Sequence, residues 1–129
     1  MKHREQLVWY WSEKSRESLA SAESELNAGR LTFAINRLYY CMFYAISALY
    51  AAKGEIYTKH SAIRAAFHRD YIKSELLDKR IGRLYDELFN ARQQGDYVPM
   101  TEFEEEVIAE HISEVKGILP KISKLVHVL

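Results

Sequence analysis

Apolar residues recur at every third or fourth position along most of the chain, and no stretch alternates long enough between apolar and polar residues to suggest a β-strand. A spacing of three to four residues places apolar side chains on one face of an α-helix. Only five glycines and two prolines interrupt the pattern. The sequence therefore predicts an all-α fold.

The breaks in this pattern divide the chain into four long helices and one short helix. The predicted helices cover residues 4–28, 31–53, 58–71 and 75–94, and a last helix begins near residues 101–106 and continues through 126. The first two helices are joined by so short a connection that they must form an antiparallel hairpin. We therefore expect an up-and-down bundle in which residues 1–129 form a single domain.

Glycines and capping residues mark the predicted helix ends. Gly29 and Gly54 follow the first two helices, where glycine readily adopts the left-handed conformation that closes a helix. Gly95 is expected to end the fourth helix. Thr101 and Glu104 have the spacing of a capping box, so they predict the start of the last helix.

The predicted helix 31–53 carries the longest apolar stretch and has no charged residue from position 38 to 52. A helix that is apolar on nearly every side must be surrounded by other elements, so we place it at the centre of the bundle. A membrane span is not expected, because the uncharged run is shorter than about 18 residues and Arg37 lies within the apolar stretch. The single cysteine, Cys41, is expected to be a buried thiol. The charged N-terminal segment does not resemble a secretory signal, so we expect a cytoplasmic protein.

Acidic and basic residues are equal in number, with 18 of each, so the molecule as a whole has no net attraction for nucleic acid. The charge is unevenly distributed, because seven basic and three acidic residues lie between positions 59 and 83. A polyanion is therefore expected to approach the middle of the chain. The sequence contains no Glu-x-x-His or His-Glu-x-x-His pattern, no Walker loop and no Gly-x-Gly-x-x-Gly, so we predict neither a metal site nor a cofactor.

Polar residues at the start of the central helix form the first candidate for a functional site. Arg37 and Tyr40 are one turn apart and share a face, with Asn36 at its edge. An arginine at the start of a buried helix needs a partner for its charge. That partner is either a glutamate of a neighbouring helix or a phosphate of a ligand, and the sequence leaves both alternatives open.

Two further groups are candidates. His60, Arg64 and His68 are spaced four residues apart on the third predicted helix, where they form either a solvated surface or a basic binding face. The segment 92–97, Arg-Gln-Gln-Gly-Asp-Tyr, lies at the end of the fourth predicted helix. Its charged residues either shape the end of that helix or form a site in an exposed turn.

Three segments together resemble the HEPN superfamily, in particular its small stand-alone bacterial and archaeal proteins. They are Asn-Arg-Leu-Tyr-Tyr-Cys-Met-Phe-Tyr-Ala at 36–45, Lys-His-Ser at 59–61 and the segment 92–97. The resemblance implies a helical bundle that forms a homodimer and is often encoded beside a small nucleotidyltransferase, as a toxin and antitoxin pair. It also implies a metal-independent endoribonuclease that uses an Arg-x(4–6)-His motif at the dimer cleft.

This sequence departs from that motif, because no arginine is followed by a histidine five to seven residues later. If the protein is active, we expect Arg92 to hold the scissile phosphate, with His60 or Asp96 as the general base. Histidine is preferred because it titrates near neutral pH. The alternative is a non-catalytic nucleotide-binding or adaptor subunit that partners a nucleotidyltransferase. The residues expected to bind nucleotide or RNA are Asn36, Arg37, Tyr40, Arg64 and Tyr97.

Overall fold

The computed structural model describes residues 2–129, and within this range it contains five α-helices and no β-strand. The helices are α1 (Lys2–Asn27), α2 (Leu31–Ala52), α3 (His60–Phe67), α4 (Lys79–Tyr97) and α5 (Glu105–His127). Helix α2 packs against each of the other four helices. The predicted all-α bundle is confirmed, and the helix predicted to be central lies at its centre.

Glycines close the first two helices as predicted. Gly29 and Gly54 have φ angles of +78° and +79°, which are in the left-handed region. After α1, the backbone N–H of Arg30 donates to the carbonyl oxygen of Glu25 at 2.9 Å, and this bond reverses the chain direction. The tight turn folds α2 back along α1, so the two helices form the expected hairpin.

The core of the bundle surrounds α2 on most of its circumference. Leu38, Met42, Ile46 and Leu49 are fully buried. Cys41 is buried as well, as predicted, and burial raises the pKa of its thiol to about 11. The apolar character of α2 is thus explained by its neighbours in the bundle. None of the helices described over residues 2–129 combines the length and the hydrophobicity needed to cross a bilayer.

The third helix is shorter than predicted and passes into a π-helical turn. Helix α3 begins at His60 and is followed by the turn His68–Ile72, in which the N–H of Lys73 donates to the carbonyl oxygen of His68 at 2.8 Å. A Cβ atom at Gly82 would lie 2.8 Å from Cε1 of His68. Glycine at this position therefore allows the π-helical turn to pack directly against α4.

Helix α4 differs from the prediction at both ends. It begins after Asp78, whose carboxylate accepts a hydrogen bond from the backbone N–H of Arg80 at 2.8 Å. It also continues through Gly95 to Tyr97, so the prediction that Gly95 ends the helix is wrong. A Cβ atom at Gly95 would lie 3.1 Å from the side chain of Thr32. The glycine therefore serves close packing between α4 and α2.

The predicted capping box of the last helix is also wrong. Helix α5 begins one residue after Glu104, which makes no side-chain capping hydrogen bond. The hydroxyl of Thr101 instead donates to the carbonyl oxygens of Gln94 and Val98, at 3.1 and 2.9 Å. Thr101 thus closes the end of α4 and is not available to start α5.

Candidate functional site

The candidate site lies where the first turns of α2, the N-terminus of α3 and the last turns of α4 meet. At its centre is Arg92, which is only 8% exposed. Its guanidinium carbon lies 4.7 Å from the ring centroid of Tyr39 and 5.7 Å from that of Tyr40. Within the described residues, its buried Nε has no hydrogen-bond partner. Aromatic rings stabilise the charge by cation–π attraction, whereas the buried Nε is a donor that the described residues leave unsatisfied.

A chain of polar contacts connects Arg92 to the start of α2. Asp96 lies one turn further along α4, with its Oδ2 atom 3.7 Å from Nη1 of Arg92. Nδ2 of Asn36 donates to the same Asp96 oxygen at 3.2 Å, and the Asn36 oxygen accepts from Nε of Arg37 at 3.0 Å. Arg37 therefore finds an acceptor in the neighbouring amide. Of the two alternatives that the sequence leaves open, a glutamate partner is not present among the described residues.

His60, the first residue of α3, lies on the same aromatic surface. Its ring stacks on Phe43 with a centroid distance of 4.2 Å, and its Nδ1 atom is 2.7 Å from the hydroxyl oxygen of Tyr39. Burial lowers the pKa of His60 below its ordinary value of 6.5, and the charge of Arg92 lowers it further. A neutral imidazole can accept a proton, and here it lies on the same aromatic surface as the Arg92 guanidinium.

We expect a nuclear magnetic resonance titration of His60 to show a pKa below 6.5. The unfolded chain binds a proton on this residue more readily than the folded protein does. His60 therefore contributes stability above its ordinary pKa, and this contribution is lost as the pH falls from that value through the lowered pKa of the folded protein. In Arg92→Gln the pKa of His60 should rise towards 6.5, because a positive neighbour has been removed. A pKa of His60 that does not change in this variant would contradict the arrangement.

The other two members of the face predicted for the third helix, one on α3 and one at the start of the π-helical turn, contact a different partner. Nε of Arg64 donates to Oδ1 of Asp86 at 2.7 Å, and Nε2 of His68 lies 2.9 Å from the same oxygen. The guanidinium of Arg64 also lies over the ring of Phe89, at 4.5 Å. The structure thus separates Arg64 and His68 from His60, and it places them against Asp86 of α4.

Tyr97 lies outside the polar chain. It is the last residue of α4, and its side chain is 75% exposed. Val98 and Met100 follow it and are also exposed, by 52% and 95%. Tyr97 is therefore accessible to a ligand or to a partner protein, but it does not help to hold Arg92.

The sequence interpretation missed Tyr39. This residue is fully buried, yet its ring contacts Arg92 and its hydroxyl contacts His60. In the sequence it stands in a run of apolar and aromatic residues, where it is indistinguishable from a core side chain. The available signal was that a buried tyrosine usually needs a hydrogen-bond partner for its hydroxyl.

The described part of the chain, residues 2–129, contains no cluster of three or more His, Cys, Asp or Glu side chains placed to hold a metal ion. At the candidate site the charged groups are Arg37, Arg92 and Asp96. Two cations and one carboxylate form a surface suited to an anion.

Comparisons with known proteins agree with the fold. A family model described as "HEPN domain" matches residues 8–125. A "UPF0332 protein" of Thermotoga maritima is 40% identical over 126 residues, which cover 98% of this chain and 96% of that protein. A protein of Methanocaldococcus jannaschii named "Putative toxin MJ0142" is 35% identical over 94 residues, which cover 73% of this chain and 64% of that protein. The resemblance seen in the three sequence segments is confirmed, and the chain belongs to the HEPN family.

Proposed function

We propose that the protein is a metal-independent endoribonuclease that acts as a toxin. The observation that carries this proposal is the buried guanidinium of Arg92 on the same aromatic surface as His60, whose pKa is lowered. The relative named as a toxin supports the biological role. Similarity to a HEPN domain supports the reaction class. Many proteins that this chain resembles in that family are similar in cleaving RNA without a metal.

Arg92 is proposed to bind the scissile phosphate. Its position is fixed by the rings of Tyr39 and Tyr40 and by the carboxylate of Asp96. A guanidinium held in place in this way can donate to two phosphate oxygens without first being ordered. It therefore stabilises the additional negative charge that develops on the phosphate in the transition state.

His60 is proposed as the general base. Its Nε2 atom takes the proton of the ribose 2′-hydroxyl, the 2′-oxygen forms a bond to phosphorus, and the bond from phosphorus to the 5′-oxygen breaks. The leaving 5′-oxygen takes a proton from water, and the products carry a 2′,3′-cyclic phosphate and a 5′-hydroxyl. Asp96 is the alternative base, but its ion pair with Arg92 and its hydrogen bond from Asn36 suit it better to positioning Arg92.

The remaining predicted residues are proposed to bind the RNA around the reacting phosphate. Arg37 and Tyr40 lie at the edge of the site, with the Arg37 guanidinium 5.4 Å from the Tyr40 ring. Arg64 lies beside the site with its guanidinium paired to Asp86, and Tyr97 offers an exposed ring for base stacking. Family resemblance further supports a homodimer whose cleft contains the site, and a nucleotidyltransferase as the antitoxin partner.

The experiment that tests this function is an RNA cleavage assay in excess EDTA. We expect purified protein to cut a labelled single-stranded RNA and to leave 2′,3′-cyclic phosphate ends. The matched control is the same oligonucleotide with 2′-deoxyribose at every position, which lacks the attacking hydroxyl and should stay intact. Intact RNA, or equal cleavage of the deoxy oligonucleotide, would overturn the proposal.

A second candidate function is a non-catalytic subunit that pairs with a nucleotidyltransferase. The exposure of Tyr97 favours it, because a hydroxyl that is accessible at the end of α4 can be modified by a partner enzyme. The absence of a histidine after Arg92 favours it too. The two functions differ in the EDTA assay, since a subunit of this kind leaves the RNA intact and co-purifies with its partner.

A further inference from the structure

Tyr39 contacts both functional groups of the site with different parts of one side chain. Its ring lies 4.7 Å from the guanidinium carbon of Arg92, and its hydroxyl oxygen lies 2.7 Å from Nδ1 of His60. The side chain is fully buried, so no substrate reaches the hydroxyl. Its contribution must therefore act through its neighbours.

We infer that Tyr39 is a positioning residue whose hydroxyl accepts a hydrogen bond from Nδ1–H of His60 and thereby leaves the lone pair of Nε2 free for the substrate. The effect on cleavage rests on the proposed function, whereas the hydrogen bond itself does not. In a neutral histidine, the bond made by one ring nitrogen decides which nitrogen carries the proton. Tyr39 is the partner of Nδ1, and within the described residues Nε2 makes no hydrogen bond.

The surroundings of His60 fix the orientation that this role requires. Phe43 lies parallel to the imidazole at 4.2 Å with an interplanar angle of 8°, which restrains rotation of the ring. Burial raises the pKa of Tyr39 to about 12, so the phenol stays neutral at physiological pH. Its oxygen has a lone pair for Nδ1–H, and its own hydrogen then needs a separate acceptor. The restrained imidazole therefore keeps the same nitrogen, Nδ1, facing the phenol.

The hydrogen of the Tyr39 hydroxyl needs a hydrogen-bond acceptor of its own. Tyr85 lies beside Tyr39 with its ring parallel, at a centroid distance of 5.9 Å and an angle of 3°. The hydroxyl of Tyr85 is buried and has no hydrogen-bond partner within the described residues. Tyr85 is therefore the acceptor that this arrangement requires for the Tyr39 hydrogen, with the proton of His60 on Nδ1.

The test is a nitrogen-15 spectrum of the histidine side chains in the full chain without RNA, in wild type and in Tyr39→Phe. The phenylalanine keeps the ring under Arg92 and removes only the hydroxyl. We expect wild-type His60 to carry its proton on Nδ1, and we expect the proton to be shared between both nitrogens in the variant. Tyr71→Phe is the matched control, because Tyr71 is also buried but lies in the π-helical turn.

A proton on Nε2 in the wild type would overturn the inference, and the spectrum of the wild-type protein alone is enough to show it. An unchanged spectrum in Tyr39→Phe would overturn it as well. In the cleavage assay Tyr39→Phe should lower kcat by on the order of tenfold and leave KM unchanged, since orientation affects the chemical step. If wild type has the expected tautomer but leaves RNA intact, the proposed function fails while the role of Tyr39 is supported.

Discussion

Replacing Arg92 by alanine should lower the rate of RNA cleavage by about 10²- to 10³-fold, which is the usual effect of removing one preorganised donor from a charge-stabilising site. The guanidinium is proposed to supply the positive charge next to the phosphate, and within the described residues no other cation lies over the ring of Tyr39. The measurement is single-turnover cleavage of RNA in EDTA, with protein in excess over substrate.

Two further variants make this result specific. Arg83→Ala removes an exposed arginine of the same helix and should cleave at the wild-type rate. Arg92→Lys keeps the charge but loses the planar pair of donors, so it should recover only part of the activity. A folded Arg92→Ala protein that cleaves as fast as wild type would show that the phosphate binds elsewhere, and thermal unfolding curves of all three variants establish that they are folded.

The hairpin and the central helix could be predicted from the sequence because local signals determine them. The left-handed glycines at 29 and 54 and the uncharged run at 38–52 act over a few residues each. Gly95 was interpreted wrongly for the opposite reason. Its role depends on the close approach of Thr32 from another helix, and a contact of this kind leaves no trace in the local pattern.

The candidate site was only partly predictable. Asn36 and Arg92 could be identified from residue type and resemblance, but the sequence does not show that Asp96 connects them. The direction of each side chain on α3 depends on how that helix is rotated against its neighbours. Hence His60 and Arg64 share a predicted face and yet contact different partners, the hydroxyl of Tyr39 and the carboxylate of Asp86.

The histidine of the Arg-x(4–6)-His motif is missing from this sequence. The sequence has none within seven residues after Arg92, so the proposed reaction has no base at the expected place in the chain. The fold brings His60 from α3 to the same aromatic surface, close enough for the charge of Arg92 to lower its pKa. Two residues 32 positions apart in the sequence are thus neighbours, and we propose that they replace a motif that is usually local.

Leu38→Ala should lower the free energy of unfolding by about 2–5 kcal/mol, the range found when a buried leucine is truncated and the cavity closes only in part. Leu38 is fully buried in α2, directly after the polar pair Asn36 and Arg37. The measurement is chemical denaturation of the full chain, followed by circular dichroism. The loss should be large because α2 packs against four helices and has little freedom to move into the space.

Leu76→Ala is the matched control, since it removes the same atoms from a side chain that is 61% exposed. It should change the free energy of unfolding by no more than about 0.5 kcal/mol. The comparison tests whether Leu38 belongs to the hydrophobic core. The residues on either side of it in α2 contact the candidate site. Equal effects of the two substitutions would show that α2 is not held in the core at this position, and the placement of Asn36 and Arg37 would then lose its support.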